Sequence, residues 1–138
     1  MRRLGLAIGV IALITLFGAA SAAAAAPSAF EGAWSSTDPV DGSTQHLYVT
    51  GGRNVQIIYV DELGTTCVEL DAPTVVFIGR LTGHIEGNEL SAWFKQGGCG
   101  PVQAINASIR FRWTFEYDQC TDTLFGAVED GPATWHRD

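Results

Sequence analysis

Residues 108–117, SIRFRWTFEY, decide the fold of this chain. Apolar and polar side chains alternate along this stretch without a break. Successive side chains of an extended strand point to opposite faces, whereas a helix would scatter these rings around its axis. The alternation therefore predicts an antiparallel sheet with one face on a core and one face in water. The apolar wall consists of Ile109, Phe111, Trp113, Phe115 and Tyr117.

The N-terminus has the three parts of a secretory signal peptide. Met1, Arg2 and Arg3 give a charged start, residues 4–17 are apolar, and small residues dominate 18–26. The apolar run is shorter than the roughly 20 residues that a membrane-spanning helix needs. We therefore predict a cleaved signal-peptide helix at 1–26 and a secreted or periplasmic protein without membrane contact after cleavage.

The remaining residues, 27–138, suffice for one domain. They carry six basic and fifteen acidic side chains, a formal charge of −9. Such a surface repels nucleic acid and anionic membranes, so we predict no nucleic-acid partner. A chain of this size buries only around two-thirds of its surface on folding, so a covalent bridge would help to hold it together.

Short stretches of strand-forming residues follow one another after the leader. Turn residues such as those at 41–42 (DG) and 51–52 (GG) separate them. We count eight to nine such strands, including one at 67–70 (CVEL), and no helical segment of useful length. The pattern predicts an all-β domain over 27–138, an antiparallel meander that closes into a small barrel.

The two ends of this domain resemble the lipocalin-like (calycin) barrels. Residues 32–34 (GAW) are similar to the G-x-W of that family, in which an Arg of the last strand lies across the Trp. Residues 135–137 (WHR) supply a matching Arg. The resemblance implies that Trp34 closes one barrel end beneath Arg137, a contact that stabilises by about 0.5–2 kcal/mol.

A closer likeness covers nearly the whole of 27–138. These residues look like an uncharacterised family of small secreted bacterial β-domains, and the likeness implies a fold and export but no activity. It also implies that Cys67 pairs with Cys99, while Cys120 departs from the pattern and is the odd thiol. The matching positions are 36–38 (STD), 41–43 (DGS), Cys67, Cys99, 122–124 (DTL), Trp135 and Arg137.

Geometry by itself leaves two cysteine pairings open. Cys99 and Cys120 flank a strand about 30 Å long, too far for a bridge unless the Gly-rich loop folds back. If 65–81 forms one strand kinked at Pro73, Cys67 and Cys99 share a barrel end. If the chain instead reverses its direction at Pro73, Cys67 and Cys120 share a barrel end. Disulfides persist in exported proteins, and a bridge here would contribute about 3–4 kcal/mol.

The barrel interior and the barrel surface are the two candidate binding regions. A small apolar ligand inside would be lined by Phe111, Trp113, Phe115 and Tyr59. Trp93 falls on the parity of the wet face and would mark a surface for an extracellular partner or a carbohydrate. A barrel this short can be filled by its own side chains, and the surface is then the alternative.

Catalytic and metal-binding signals are weak in this sequence. It contains no nucleophile elbow, Cys-His signature or H-E-x-x-H helix. A hydrolase would need a carboxylate pair such as Glu69 and Glu116 at a separation that sequence does not fix. Asp38, Asp41 and Ser43 offer fewer oxygens than the six to eight that calcium takes. We predict a non-enzymatic protein with no cofactor and no metal.

Overall fold

The computed structural model describes residues 26–69, 71, 74–100, 103–105, 112–128 and 131–138, and the predicted signal peptide lies outside them except for Ala26. These residues form nine strands and two short helical segments. They are a 3-10 helix (Pro27–Ala29), β1 (Gly32–Thr37), β2 (Thr44–Thr50), β3 (Asn54–Asp61), α1 (Thr65–Glu69), β4 (Phe77–Glu86), β5 (Glu89–Cys99), β6 (Gln103–Ile105), β7 (Arg112–Asp118), β8 (Thr123–Val128) and β9 (Gly131–Arg137).

Eight antiparallel strands close into a barrel, as the sequence predicted. β1 to β5 are neighbours in chain order, β5 then pairs with β7, and β8 and β9 lead back to β1. The first half of β5 pairs with β7, and its last residues, 97–99, pair with β6 outside the ring of eight. The seam between the first and last strands contains the pairs Trp34–Arg137 and Ser35–His136.

β7 contains the described part of the alternating stretch. Trp113 and Phe115 are buried in the barrel, Tyr117 is half-buried at its end, and the intervening Thr114 and Glu116 are exposed. The predicted inward and outward faces are therefore confirmed for residues 112–117. Residues 108–111, with Phe111 among them, lie outside the described part of the chain.

Among the described residues, the barrel core is a cluster of apolar side chains from both halves of the chain. Two glycines on the inner wall leave room for aromatic rings. A Cβ atom at Gly97 would overlap the rings of Phe77 and Phe94, and one at Gly126 would overlap Phe115. The largest fully buried side chains are Trp34, Trp135, Phe30, Phe115, Leu47, Ile57, Leu81, Ile85, Leu90 and Leu124.

The strand predicted at 67–70 is wrong, because the described residues 67–69 are helical. The backbone N–H groups of Cys67 and Val68 donate to Gly64 O at 2.8 and 3.2 Å, which starts α1. A run of four residues carries too little periodicity to separate strand from helix. Cys67 bonds to Cys99 with Cα atoms 5.5 Å apart, and Cys120 is free and exposed. The predicted disulfide is confirmed.

The two ends of the barrel differ in what closes them. The Trp34 end contains the 3-10 helix, the turn at 86–89 and the turn at 118–123. The disulfide end contains the turn at 38–43, α1 and the Cys67–Cys99 bridge.

Candidate functional site

Three of the four side chains predicted to line a ligand cavity, those of Tyr59, Trp113 and Phe115, pack against one another. The rings of Tyr59 and Trp113 lie 5.0 Å apart between centroids and nearly perpendicular, at 81°. Phe115 and Trp135 lie 6.1 Å apart at 82°. Both of these rings are fully buried, so neither touches a void that would hold a water molecule. The structure brings the described residues of the predicted lining together as a packed core, and Phe111 is not described.

Trp34 and Arg137 meet at the Trp34 end. The guanidinium carbon of Arg137 lies 4.0 Å from the centroid of the Trp34 ring system. The Arg137 side chain donates to Ala29 O and to Glu31 O, both at 2.7 Å, and so holds the segment before β1 against the last strand. The Trp34 indole Nε1 donates to Phe30 O at 2.9 Å. These contacts close this end of the barrel with side chains.

Asp122 completes the network around Arg137. Its carboxylate accepts from Arg137 Nε at 2.9 Å and from the Tyr117 hydroxyl at 2.9 Å. The hydrogen bond from Arg137 is the main reason that the pKa of Asp122 lies below its ordinary value. Burial is the main reason that the pKa of Tyr117 is raised, and the neighbouring Asp122 carboxylate adds to the effect. The network is an exposed clamp that ties β7, β9 and the segment before β1 together.

Trp93 lies on the outer face of β5, where the sequence placed it. Its side chain is 41% exposed. Arg112, its partner across the strands, lies over the indole at 5.8 Å and donates to Ser91 Oγ at 2.5 Å and Glu89 Oε1 at 3.3 Å. The Arg112 guanidinium therefore covers part of one face of the Trp93 ring.

Two open grooves adjoin on the outer face near the Trp34 end, of about 550 and 410 Å³. They share Asn88, Glu116 and Phe125, and none of the predicted cavity-lining residues contributes to either. Phe125 is 57% exposed and stands directly opposite Glu116. We call the joined surface the β7–β8 groove. Its remaining lining residues are Glu86, Glu89, Thr114, Tyr117, Asp118, Gln119, Cys120 and Gly126.

Sequence reasoning missed this groove, although one signal was present. In the stretch 123–128 (TLFGAV), burial of Leu124 places Phe125 on the opposite, outer face. Strand parity thus identifies an exposed aromatic residue. The pairing of β8 with Glu116 of β7 depends on register, which a single strand does not reveal.

The carboxylates considered for hydrolysis are far apart. Glu69 lies in α1 at the disulfide end, while Glu116 pairs with Glu89 at the other end of β5. The ten-residue step from Glu89 to Cys99 spans about 33 Å of strand. Among the described residues, moreover, no three His, Cys, Asp or Glu side chains group as metal ligands.

Two observations bear on location. The Cys67–Cys99 bridge is consistent with an oxidising compartment outside the cytoplasm. Within the described ranges, no helix has the length and apolar character needed to cross a membrane.

The chain was also compared with protein-family models, with curated proteins and with solved structures. None of the three comparisons finds a match.

Proposed function

We propose that this protein is an exported, non-enzymatic binding module that uses the outer face of its barrel, and that the ligand of the β7–β8 groove is a glycan. Because the barrel interior is packed with side chains, we favour a binding site on the outer surface over a small apolar ligand inside the barrel. Export rests on the leader at 1–26 and on the disulfide. The likeness to lipocalin-like barrels and to small secreted β-domains belongs to the same proposal, supported by the Arg137–Trp34 contact.

The exposed ring of Phe125 in the β7–β8 groove carries this proposal. Covering an exposed phenyl ring with an apolar surface is favourable, because it removes apolar area from water. More than half of the Phe125 side chain is exposed and therefore available for such a contact. A sugar ring offers an apolar C–H face, whose partial positive charge faces the negative face of an aromatic ring. The groove thus provides a platform of the right chemistry.

Polar groups around the platform match the hydroxyl edge of a sugar. Glu116 stands beside Phe125 with its side chain exposed, and Asn88 and Thr114 lie along the same groove. Carboxylates accept strong hydrogen bonds from hydroxyl groups, and an amide both donates and accepts. A few oriented polar groups beside an apolar surface are typical of ligand sites.

The shape and charge of the outer face around Trp93 and Phe125 indicate which glycans would bind there. Trp93 and Phe125 lie roughly 15 Å apart on one outer face, so an extended oligosaccharide would reach both rings. Glu86, Glu116 and Asp118 make the groove acidic. Acidic sugars would be repelled, and neutral or amino sugars are therefore the expected ligands.

Calorimetric titration of residues 27–138 with chitohexaose and with the glucosamine hexamer tests the proposal. We expect saturable binding of at least one of them, weakened at least tenfold in Phe125→Ala and in Trp93→Ala. Ile58→Ala is the matched control, because Ile58 is an exposed apolar residue on the outer face of β3. Binding that is unchanged in Phe125→Ala, or no binding of either hexamer, would overturn the proposal. A lysine-rich peptide that binds in place of both sugars would do the same.

A further inference from the structure

We infer that the β7–β8 groove selects glycans whose sugars carry a protonated amino group, and that Glu116 is the residue responsible for this selection. The inference rests on the proposed binding of a glycan, and it decides between the neutral and the amino sugars that the proposed function leaves open. It follows from a row of side chains that crosses the outer face of the barrel beside Phe125.

The register of five neighbouring strands places one exposed side chain of each strand in this row. From β4 to β9, the consecutive cross-strand pairs are Glu86–Glu89, Glu89–Glu116, Glu116–Phe125 and Phe125–Thr134. Side chains directly opposite each other on adjacent strands have Cβ atoms about 4.5–5.5 Å apart. Three carboxylates and the phenyl ring therefore follow one another within roughly 15 Å.

Most of the negative charge in this row is not compensated. Arg112 Nη2 lies 3.3 Å from Glu89 Oε1, and this is the only ion pair that the described residues form with the row. Three carboxylates and one guanidinium leave a formal charge of −2 beside Phe125. Like charges directly opposite each other destabilise a sheet, so the Glu89–Glu116 pair is unfavourable for folding by itself. A cation bound at Glu116 would relieve this repulsion.

Glu116 and Phe125 together match the two parts of an amino sugar. When the C–H face of the sugar lies on the Phe125 ring, a group on the edge of the sugar ring can reach the neighbouring Glu116 carboxylate. An ammonium group offers three donors there, and its charge-assisted hydrogen bonds are about twice as strong as those of a neutral hydroxyl or amide. An N-acetylated sugar lacks that charge. The row therefore favours the free amine.

Other cations fit this surface less well. Among the described residues, no three His, Cys, Asp or Glu side chains group as metal ligands, and an inorganic ion would leave the Phe125 ring exposed. A lysine side chain provides the ammonium group on a flexible stem, which loses conformational freedom when it is fixed. The rigid ring of an amino sugar loses less on binding.

Calorimetric titration of residues 27–138 at about pH 5.5, where amino groups carry protons, tests the inference with two ligands. We expect the glucosamine hexamer to bind at least tenfold more tightly than chitohexaose. Raising the salt concentration from about 0.05 M to about 0.5 M should weaken the glucosamine hexamer several-fold and leave chitohexaose nearly unchanged, because salt screens exposed charges.

Two variants separate the carboxylate from the ring. Glu116→Gln should reduce the preference for the glucosamine hexamer at least threefold, with a Tm no lower than that of the wild type, because it removes a like-charge pair. Phe125→Ala should weaken both hexamers and keep the preference. Glu69→Gln changes an exposed carboxylate in α1 at the disulfide end, and this matched control should bind both hexamers like the wild type.

The possible failures are distinguishable. Chitohexaose that binds as tightly as the glucosamine hexamer would overturn the inference and leave the proposed glycan binding intact. A preference that is unchanged in Glu116→Gln, or reduced equally in Glu69→Gln, would also overturn the inference alone. If neither hexamer binds, the proposed function falls and the inference falls with it. Hexalysine that binds as tightly as the glucosamine hexamer would overturn the choice of a sugar as the source of the amine.

Discussion

Asp122 connects three parts of the molecule through a single carboxylate. It accepts from Arg137 in β9 and from Tyr117 in β7, while Arg137 also holds the segment that leads into β1. At the residue scale, the charge of this one exposed side chain therefore contributes to closing the Trp34 end. Its pKa is lowered in the folded protein, chiefly by the hydrogen bond from Arg137.

We expect Asp122→Asn to lower the Tm by no more than a few degrees at pH 7, because the ion pair is exposed to solvent, and to lose that effect in acid. A carboxyl group whose pKa is lowered by folding stabilises the folded state above its unfolded pKa of about 3.9. That contribution disappears as the pH falls through the lower, folded pKa. Thermal unfolding of both proteins between pH 2 and pH 7 measures the difference.

The difference between the two proteins isolates Asp122 from other acidic groups. Asp41 and Asp118 also have lowered pKa values, mainly because backbone N–H groups of Ser43 and Cys120 donate to them, and both remain in the variant. A Tm difference that is constant from pH 2 to pH 7 would contradict the role assigned to the Asp122 charge.

At the element scale, the approach of β4 to β5 depends on small residues on the inner wall. Phe77 and Phe94 stack with centroids 6.2 Å apart, and their rings occupy the space next to Gly97. β5 can therefore run past the end of β7 to Cys99 and present that residue to α1.

We expect Gly97→Ala to destabilise the protein by about 1–3 kcal/mol, because the added methyl group overlaps two packed rings. Urea unfolding followed by Trp fluorescence measures the change. Gly52→Ala is the matched control, since nothing lies within 4 Å of a Cβ atom at that turn. If both variants unfold at the same urea concentration, the packing argument for Gly97 fails.

Features set by residues close together in the sequence were predicted correctly, and features set by contacts between different strands were not. The alternation around Trp113 and Phe115 is local, and it correctly gave the faces of β7. The helix at Cys67 was missed because four residues are too few to show a period, and because the backbone N–H groups of Cys67 and Val68 bond to Gly64 O, outside the predicted strand. The β7–β8 groove depends on register between strands, which the sequence leaves open.

At the scale of the whole molecule, the disulfide fixes the end of the barrel that lacks the Arg137 clamp. Cys67 and Cys99 are separated by 32 residues along the chain. A cross-link over a loop of that length restricts the unfolded chain and contributes about 3–4 kcal/mol. The small size of the domain makes such a contribution a large part of its total stability.

We expect the double variant Cys67→Ala/Cys99→Ala to lose about 3–4 kcal/mol of unfolding free energy. Cys120→Ala should leave stability nearly unchanged, because this thiol is free and exposed. Urea unfolding of the three proteins without reductant provides the comparison. A larger loss in Cys120→Ala than in the double variant would contradict the observed pairing.

The position of the seam has a consequence for how the chain acquires its structure. β1 and β9 are neighbours in space but lie at opposite ends of the domain in sequence, and Arg137 reaches back to Ala29 and Glu31. A nascent chain emerging from its N-terminus can form the meander from β1 to β5 progressively, but ring closure has to wait until Arg137 has emerged. Until then β1 presents an unpaired edge, open to association with other chains.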